Sequence, residues 1–183
     1  MIISRTPLRA SFCGGGTDID SFSHTEEEGG MVVSVSLQSY IHITVNKRFD
    51  NMVRVSYSKM ELVENFEDLE HELVREAMRI TGITSGVEIT TIADIPSRGT
   101  GLGSSSSVTV GLLNALHTYA GRSTSPKQLA EEACMIEIDI LKQPIGRQDQ
   151  YAAAFGGFNL IEFKKDDSVI VKPVITSQKT INE

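Results

Sequence analysis

Apolar side chains recur at every second position of the segment 30–57, with polar residues between them. A period of two places the apolar residues on one face of a β-strand. The polar pair Asp50-Asn51 interrupts the alternation and indicates a turn. The segment is therefore predicted to form strands, with these alternating apolar positions: Val33, Val35, Leu37, Ile41, Ile43, Val45, Val53 and Val55.

Three other segments have the spacing of an amphipathic helix. In 66–80, apolar residues recur every three or four positions. A second pattern of this kind follows the serines at 104–107. A third covers 125–141, where Ser125 suits the N-cap and Pro126 suits the first helical position. Helices are therefore predicted in all three segments.

Strands are also predicted over 86–95, 156–163 and 168–174, the last two joined by a turn at Asp166-Asp167. The order along the chain is strands, helix, strand, two helices and strands. A doubly wound parallel sheet would require regular alternation of strands and helices. The pattern therefore predicts an α+β fold, with helices packed on a mixed or mainly antiparallel sheet.

Composition and charge narrow the function classes. Hydrophobic residues make up 40% and charged residues 22% of the 183 residues, as in a globular protein with a core. The net charge of −7 and the absence of tryptophan argue against a nucleic-acid partner, which would need a basic face. Cys13, Cys134 and four scattered histidines have no disulfide or zinc spacing. No signal peptide or membrane-spanning run is present, so a cytoplasmic protein without a membrane partner is expected.

The segment 95–116 combines glycines at every second position with a run of serines. Gly99, Gly101 and Gly103 follow a predicted strand, and residues 104–107 open a predicted helix. Glycine lets backbone N–H groups approach an anion closely, and the helix dipole attracts negative charge. A flexible linker is the alternative, although a linker is not expected between a strand and an apolar helix. A phosphate site is predicted, and it matches neither the Walker A nor the GxGxxG pattern.

The same segment resembles the second motif of the GHMP kinases (galactokinase, homoserine kinase, mevalonate kinase and phosphomevalonate kinase), whose usual form is Pro-x-x-x-Gly-Leu-Gly-Ser-Ser. The matching positions are Pro96, Gly101, Leu102, Gly103, Ser104 and Ser105. The resemblance implies that ATP is the phosphoryl donor, that the loop wraps its phosphates, and that Ser105 contacts Mg²⁺. The residues then expected to bind ATP are Gly99, Gly101, Leu102, Gly103, Ser104, Ser105 and Ser106.

A second glycine cluster, GGGTD, ends the segment 6–18. By itself this pattern indicates no more than a capped turn, because threonine and aspartate are good N-cap residues. The segment resembles the first GHMP motif, which lines the acceptor pocket, and its Gly-Gly in place of Glu-His resembles the heptose-phosphate kinase and fucokinase branch. The resemblance implies acceptor binding by Gly15, Gly16, Thr17 and Asp18.

A third cluster, in 136–163, contains Glu137 and Asp149. Two such acids are most often solvated surface charges, but small apolar residues follow Asp149 directly, which favours a functional carboxylate. The cluster resembles the GHMP segment in which a helix glutamate binds Mg²⁺ and a later aspartate is catalytic. The resemblance implies that Glu137 is the metal ligand, with Glu131 and Glu132 as alternatives. It also implies that Asp149 is catalytic, and that Arg9 stabilises developing negative charge.

Together the three motifs imply a GHMP-type kinase whose acceptor is a sugar or sugar phosphate resembling D-glycero-D-manno-heptose 7-phosphate. The implied fold is that of ribosomal protein S5 domain 2. Residues 1–183 are expected to be the N-terminal, ATP-binding domain, with the C-terminal GHMP domain absent from this chain and the activity of the fragment alone open. Two other classes stay open: a non-catalytic nucleotide- or sugar-binding module, and a structural domain of the same topology.

Overall fold

A seven-stranded sheet forms the frame of the protein in the computed structural model, which describes residues 1–95 and 101–175. The strands are β1 (Ile2–Cys13), β2 (Gly30–Lys47), β3 (Val53–Ser56), β4 (Met60–Val63), β5 (Val87–Ala93), β6 (Phe158–Phe163) and β7 (Val169–Pro173). The helices are α1 (Asp20–Ser23), α2 (Glu72–Thr81), α3 (Ser104–Tyr119), α4 (Pro126–Cys134) and α5 (Gln148–Phe155).

The long strand β2 is the centre of the sheet. Strand β1 runs antiparallel along one edge of β2, and on the other edge β6 pairs with residues 30–35 and β5 with residues 41–47. Strands β3 and β5 are parallel, whereas the other pairings of the described strands are antiparallel. The predicted α+β fold with a mixed, mainly antiparallel sheet is therefore confirmed.

Helix α3 connects the sheet to the other helices. It packs against β1 and β2 and against α2, α4 and α5. Gly111 lets α3 pack closely on the sheet, because a Cβ there would lie 2.9 Å from the Thr6 Oγ1 atom of β1. None of the described helices has the length and apolarity needed to cross a bilayer. The apolar residues of α3 that are buried in the core are Val110, Leu112, Leu113, Ala115 and Leu116.

An irregularity in β1 links the first motif to the loop before α3. The register of β1 on β2 shifts between Pro7 and Arg9, and Leu8 at the shift is fully buried. Such irregularities re-aim neighbouring side chains. The N–H of Arg9 donates to the carbonyl oxygen of Leu102 at 3.2 Å, outside the β1–β2 ladder. The end of β1 is therefore attached to the predicted phosphate loop.

The helices differ from the predicted ones in four places, of which the first is the short helix α1, which was not predicted. Helix α2 begins at Glu72, because Asn65 caps a separate 3-10 turn over Phe66–Asp68. The helix predicted over 125–141 becomes a π-helical turn after Cys134. Helix α5 has no counterpart among the predicted helices. The π-helical turn and α5 are the elements that carry Glu137 and Asp149, so both differences bear on the site.

Candidate functional site

The first turn of α3 is open to an anion. Gly101 and Gly103 have φ values of 63° and 71°, in the left-handed region that glycine adopts without strain. Gly103 is the N-cap residue, and no side chain within the described residues caps this helix. The first N–H groups of a helix have no intrahelical acceptor and attract anions. Gly99, predicted to belong to the same loop, lies outside the described residues.

The serines at the start of α3 point in different directions. Ser104 and Ser105 line a cavity, whereas the side chains of Ser106 and Ser107 are buried. Ser106 Oγ donates to Glu137, and Ser107 Oγ donates to a backbone oxygen of β1. Ser104 and Ser105 can therefore contact a ligand in the cavity, Ser105 through the lone pairs of a hydroxyl whose hydrogen goes to Glu137. The buried Ser106 can reach a ligand only through its backbone N–H.

Glu137 lies at the centre of a buried hydrogen-bond cluster. The π-helical turn Met135–Ile140 carries it into the interior, where it is 0% exposed. An ionised carboxylate offers about four lone-pair sites. Four side chains donate to its oxygens: Ser105 Oγ (3.0 Å) and Thr109 Oγ1 (3.0 Å) to Oε1, and Ser106 Oγ (2.7 Å) and Gln150 Nε2 (2.6 Å) to Oε2. Burial raises the pKa of Glu137, and these hydrogen bonds oppose the rise.

The residues predicted to bind Mg²⁺ are of the type that this ion prefers, and one of the four donors would have to leave Glu137 for the ion to bind its carboxylate. Ser105 and Glu137 bring a hydroxyl and a carboxylate oxygen within 3.0 Å of each other. These are the hard oxygen ligands that Mg²⁺ prefers. The alternatives are engaged elsewhere, since Glu132 accepts from His117 at 2.7 Å and Glu131 lies 3.7 Å from a lysine nitrogen. Of the three glutamates, only Glu137 forms a hydrogen bond with the described part of the loop, through Ser105.

Asp149 forms an ion pair with Arg9. The Arg9 Nε donates to Asp149 Oδ1 at 2.7 Å, and a second guanidinium nitrogen lies 2.6 Å from the same oxygen. Another N–H of Arg9 donates to the Gly101 carbonyl at 2.8 Å. The Oδ2 atom accepts no hydrogen bond from a described residue and lies 3.1 Å from where a Cβ of Gly103 would stand. Burial raises the pKa of Asp149, Arg9 opposes the rise, and Asp18 adds to it.

Asp18 joins the first and third motifs. It is only 2% exposed and accepts from the backbone N–H groups of Gly16 (3.1 Å) and Gln148 (3.0 Å). Only glycine fits at Gly146, since a Cβ there would lie 2.0 Å from Asp18 Oδ2. The single O–H of Thr17 lies within hydrogen-bond distance of two backbone carbonyl oxygens, those of Gly14 in its own turn (2.7 Å) and Met31 at the start of β2 (2.9 Å). Thr17 therefore stabilises the turn, while Asp18 fixes the start of α5.

Two cavities meet the start of α3. The larger, of about 460 Å³, is mostly apolar, and its lining includes Tyr57, His71, Leu73, Val108, Ser104 and Ser105. The smaller, of about 170 Å³, has a lining that includes Gly16, Asp18, Gly146, Gln148 and Asp149. Ser104 lines the first cavity, and Arg9 connects the Gly101 carbonyl oxygen to Asp149, which lines the second. The predicted phosphate loop therefore adjoins both.

Comparison with known proteins identifies the family. Residues 69–157 match the family model of the GHMP kinases N terminal domain, a span that contains the loop, Glu137 and Asp149. A D-glycero-alpha-D-manno-heptose 7-phosphate kinase from Campylobacter jejuni is 33% identical over 94% of this chain. The chain belongs to the GHMP kinases. The membership of this family that the three motifs predicted is thus confirmed.

Other relatives agree with the branch that the GGGTD turn predicted for this GHMP chain. A curated L-fucokinase/L-fucose-1-P guanylyltransferase from Bacteroides fragilis is 24% identical over 88% of the chain and 20% of its own length. The crystal structure of a D-glycero-D-manno-heptose 1-phosphate kinase from Bacteroides thetaiotaomicron matches with a TM-score of 0.92 and 29% identity, over 100% of this chain and 63% of that one. The GHMP chain spans 54% of the length of the Campylobacter relative.

Several residues of the site were not predicted from the sequence. Thr109 and Gln150 complete the cluster around Glu137, and Gln148 lines the smaller cavity. Thr109 follows Ser105 by one helical turn, so helical spacing could have placed the two hydroxyls on one face. Gln148 and Gln150 flank Asp149. Nothing in the sequence indicates that the side chain of Gln148 contacts Ser11 while that of Gln150 contacts Glu137.

Proposed function

We propose that this GHMP kinase domain binds ATP and transfers its γ-phosphoryl group to a hydroxyl of a sugar or sugar phosphate. The observation that carries the proposal is the position of the α3 N-terminus, which adjoins both cavities. The larger, at about 460 Å³, has the usual size of a small-ligand site. Phosphates bound at the start of α3 would connect a nucleoside in that cavity to an acceptor beside Asp149.

Backbone N–H groups at the start of α3 would hold the ATP phosphates, and the helix dipole would add to their attraction. Ser105 and Glu137 would hold Mg²⁺, which when bound neutralises charge on the phosphates. The nucleoside would contact the apolar wall that includes Leu73 and Val108. ATP is a cytoplasmic metabolite, so we place the reaction in the cytoplasm.

The smaller cavity would hold the acceptor. The Oδ2 atom of Asp149, which accepts no hydrogen bond from a described residue, lies on the side of Gly103 and can accept the proton of an acceptor hydroxyl. Arg9 bridges Asp149 and the Gly101 carbonyl, so its positive charge would stabilise the negative charge that develops on the transferred phosphoryl group. Asp18, at the base of the cavity, would accept from another hydroxyl.

The acceptor class follows from the relatives combined with this cavity. Both curated relatives are named for sugar or sugar-phosphate substrates, and the relative with the higher identity is a heptose 7-phosphate kinase. Two carboxylates in one small cavity suit a polyhydroxylated ligand, which offers several O–H donors. A heptose phosphate such as D-glycero-D-manno-heptose 7-phosphate is therefore the acceptor we propose.

The test is phosphorylation by the complete gene product with ATP and Mg²⁺. The acceptors are D-glycero-D-manno-heptose 7-phosphate, fucose, galactose, mevalonate and homoserine, with ADP release as the readout. We expect turnover to be highest with the heptose phosphate. Preference for mevalonate over every sugar would contradict the acceptor class. ATP binding without turnover of any acceptor would favour the non-catalytic binding module.

A further inference from the structure

Gln148, the first residue of α5, has a side chain whose hydrogen bonding is only half used. Its backbone N–H donates to Asp18 at 3.0 Å, and its side-chain Oε1 accepts from the Ser11 hydroxyl at 2.8 Å. Its Nε2 donates to no residue in the described ranges. The side chain lines the smaller cavity together with Asp18 and Asp149. The amide thus offers that cavity two N–H groups.

Three neighbours hold the amide in this orientation. Ser11, on the edge of β1, occupies the oxygen. The carboxylates of Asp18 and Asp149 line the same cavity, and their negative charge favours N–H groups over a carbonyl oxygen on that side. Gly15 is next to the amide, because a Cβ built on it would lie 3.9 Å from Nε2. As a glycine it has no side chain that could cover the amide. The donor is therefore both fixed and accessible.

The cavity has a chemical requirement that Gln148 meets. Ionised carboxylates only accept hydrogen bonds, whereas each sugar hydroxyl both donates and accepts. The Gly16 N–H is already bound to Asp18. Among the described side chains that line the cavity, Gln148 is the one with an N–H donor. A hydroxyl oxygen of the acceptor therefore finds its donor at Gln148 Nε2.

We infer that Gln148 is a specificity-determining residue, which donates from Nε2 to a hydroxyl oxygen of a polyhydroxylated acceptor. This inference rests on the proposed kinase function. Asp149 and Asp18 accept hydrogen bonds from the acceptor hydroxyls, and Gln148 donates a hydrogen bond to a hydroxyl oxygen. An acceptor with a single hydroxyl cannot satisfy all three groups, so the set selects sugars over simple alcohols.

The test compares Gln148→Leu and Gln148→Glu with the wild type, using the complete gene product, ATP, Mg²⁺ and D-glycero-D-manno-heptose 7-phosphate. Loss of one neutral hydrogen bond should raise the acceptor KM about tenfold in Gln148→Leu. Gln148→Glu should raise it by roughly a hundredfold, because it adds a third carboxylate to the two present. The KM for ATP and the Tm should stay unchanged in both.

The matched control is Gln128→Leu. Gln128 is also an amide in the first turn of a helix and donates to Glu132 at 2.8 Å, but it lies on α4 and lines neither cavity. Its replacement should leave both KM values at the wild-type level. Ser11→Ala removes the hydroxyl that holds the amide oxygen and should raise the acceptor KM by a few-fold.

Deoxy analogues of the acceptor identify the hydroxyl that Gln148 contacts. For the analogue that lacks this hydroxyl, wild type and Gln148→Leu should have the same KM, because the interaction is already lost. An unchanged acceptor KM in Gln148→Leu, with the wild type active on sugars, would overturn the inference alone. So would a matched rise in the KM for ATP together with a lower Tm. A wild type inactive on every sugar would overturn the proposed function, and the inference with it.

Discussion

Asp149 and Glu137 are two carboxylates beside the same helix start, and their surroundings differ in almost every respect. Asp149 is 24% exposed in its side chain, faces a cavity and is paired with a cation, Arg9. Glu137 is 0% exposed and is surrounded by neutral donors. Burial raises the pKa of both groups. Burial alone therefore does not distinguish a reacting carboxylate from an organising one.

The difference lies in the unused hydrogen-bonding capacity. Asp149 keeps Oδ2 free of described partners, whereas the oxygens of Glu137 accept from α3 and α5. The first arrangement can take up a proton from a ligand. The second fixes the first turn of α3 relative to α5, so the phosphate loop and Asp149 keep a constant relation. Replacement of each carboxylate by its amide should separate these roles.

Asp149→Asn should have the largest effect. Asparagine fills the same volume but cannot take up the acceptor proton, so kcat should fall by about two to four orders of magnitude. The Kd for ATP and the Tm should change little, because α3 and the larger cavity are untouched. Steady-state kinetics with a sugar acceptor, beside nucleotide titration and thermal unfolding, provide the measurement. A near-normal kcat would move the catalytic role to Asp18 or end the kinase interpretation.

Arg9→Met should have the next largest effect and should depend on pH. Asp149 must be ionised to accept a proton, so activity is lost as the pH falls through its raised pKa. Arg9 lowers that pKa, and without it the acid limb of kcat/KM should begin at a higher pH. We expect kcat to fall about ten- to a hundredfold, since the phosphoryl group also loses a cation.

Arg48→Met is the matched control for this prediction. Arg48 is likewise paired with an aspartate, Asp50, at 2.7 Å, but it lies at the end of β2 and lines neither cavity. Its removal should leave the pH profile unchanged. An acid limb that stays in place in Arg9→Met would show that Asp149 does not set it.

The comparison also shows how far the sequence could predict the molecule. Alternation with a period of two locates β2 and β3, because a strand with one buried and one exposed face has apolar and polar residues in alternate positions. Helix α5 is short, and its N-cap residue Arg147 makes no capping hydrogen bond, so its start carries no local signal. The π-helical turn Met135–Ile140 follows α4 directly and contains no glycine or proline, so the sequence does not mark where the ordinary helix ends.

Candidate site residues could be predicted from the sequence where they lie in one continuous motif. They could not be predicted where residues from distant elements form the site together. The loop residues Gly101 to Ser105 are adjacent in sequence. The left-handed backbone conformation at Gly101 and Gly103 is one that glycine favours, so the residue type itself indicates it. Gln148 and Gln150 gain their roles from partners on distant elements, such as Ser11 and Glu137. Residue type and spacing do not encode those contacts.

Glu137→Gln should have the clearest effect on stability and a smaller effect on turnover than Asp149→Asn, because the amide oxygen can still ligate Mg²⁺ although the lost negative charge weakens its binding. One amide oxygen cannot serve all the buried donors that the carboxylate accepts, and a buried donor without a partner costs about 1–3 kcal/mol. The Tm should fall by roughly 2–4 °C per kcal/mol, as thermal unfolding would measure. Glu131→Gln, whose carboxylate lies on exposed α4 surface, should stay within about 0.5 kcal/mol. A Glu137→Gln protein with an unchanged Tm and a kcat as low as that of Asp149→Asn would place both carboxylates in the chemistry and abolish the distinction between them.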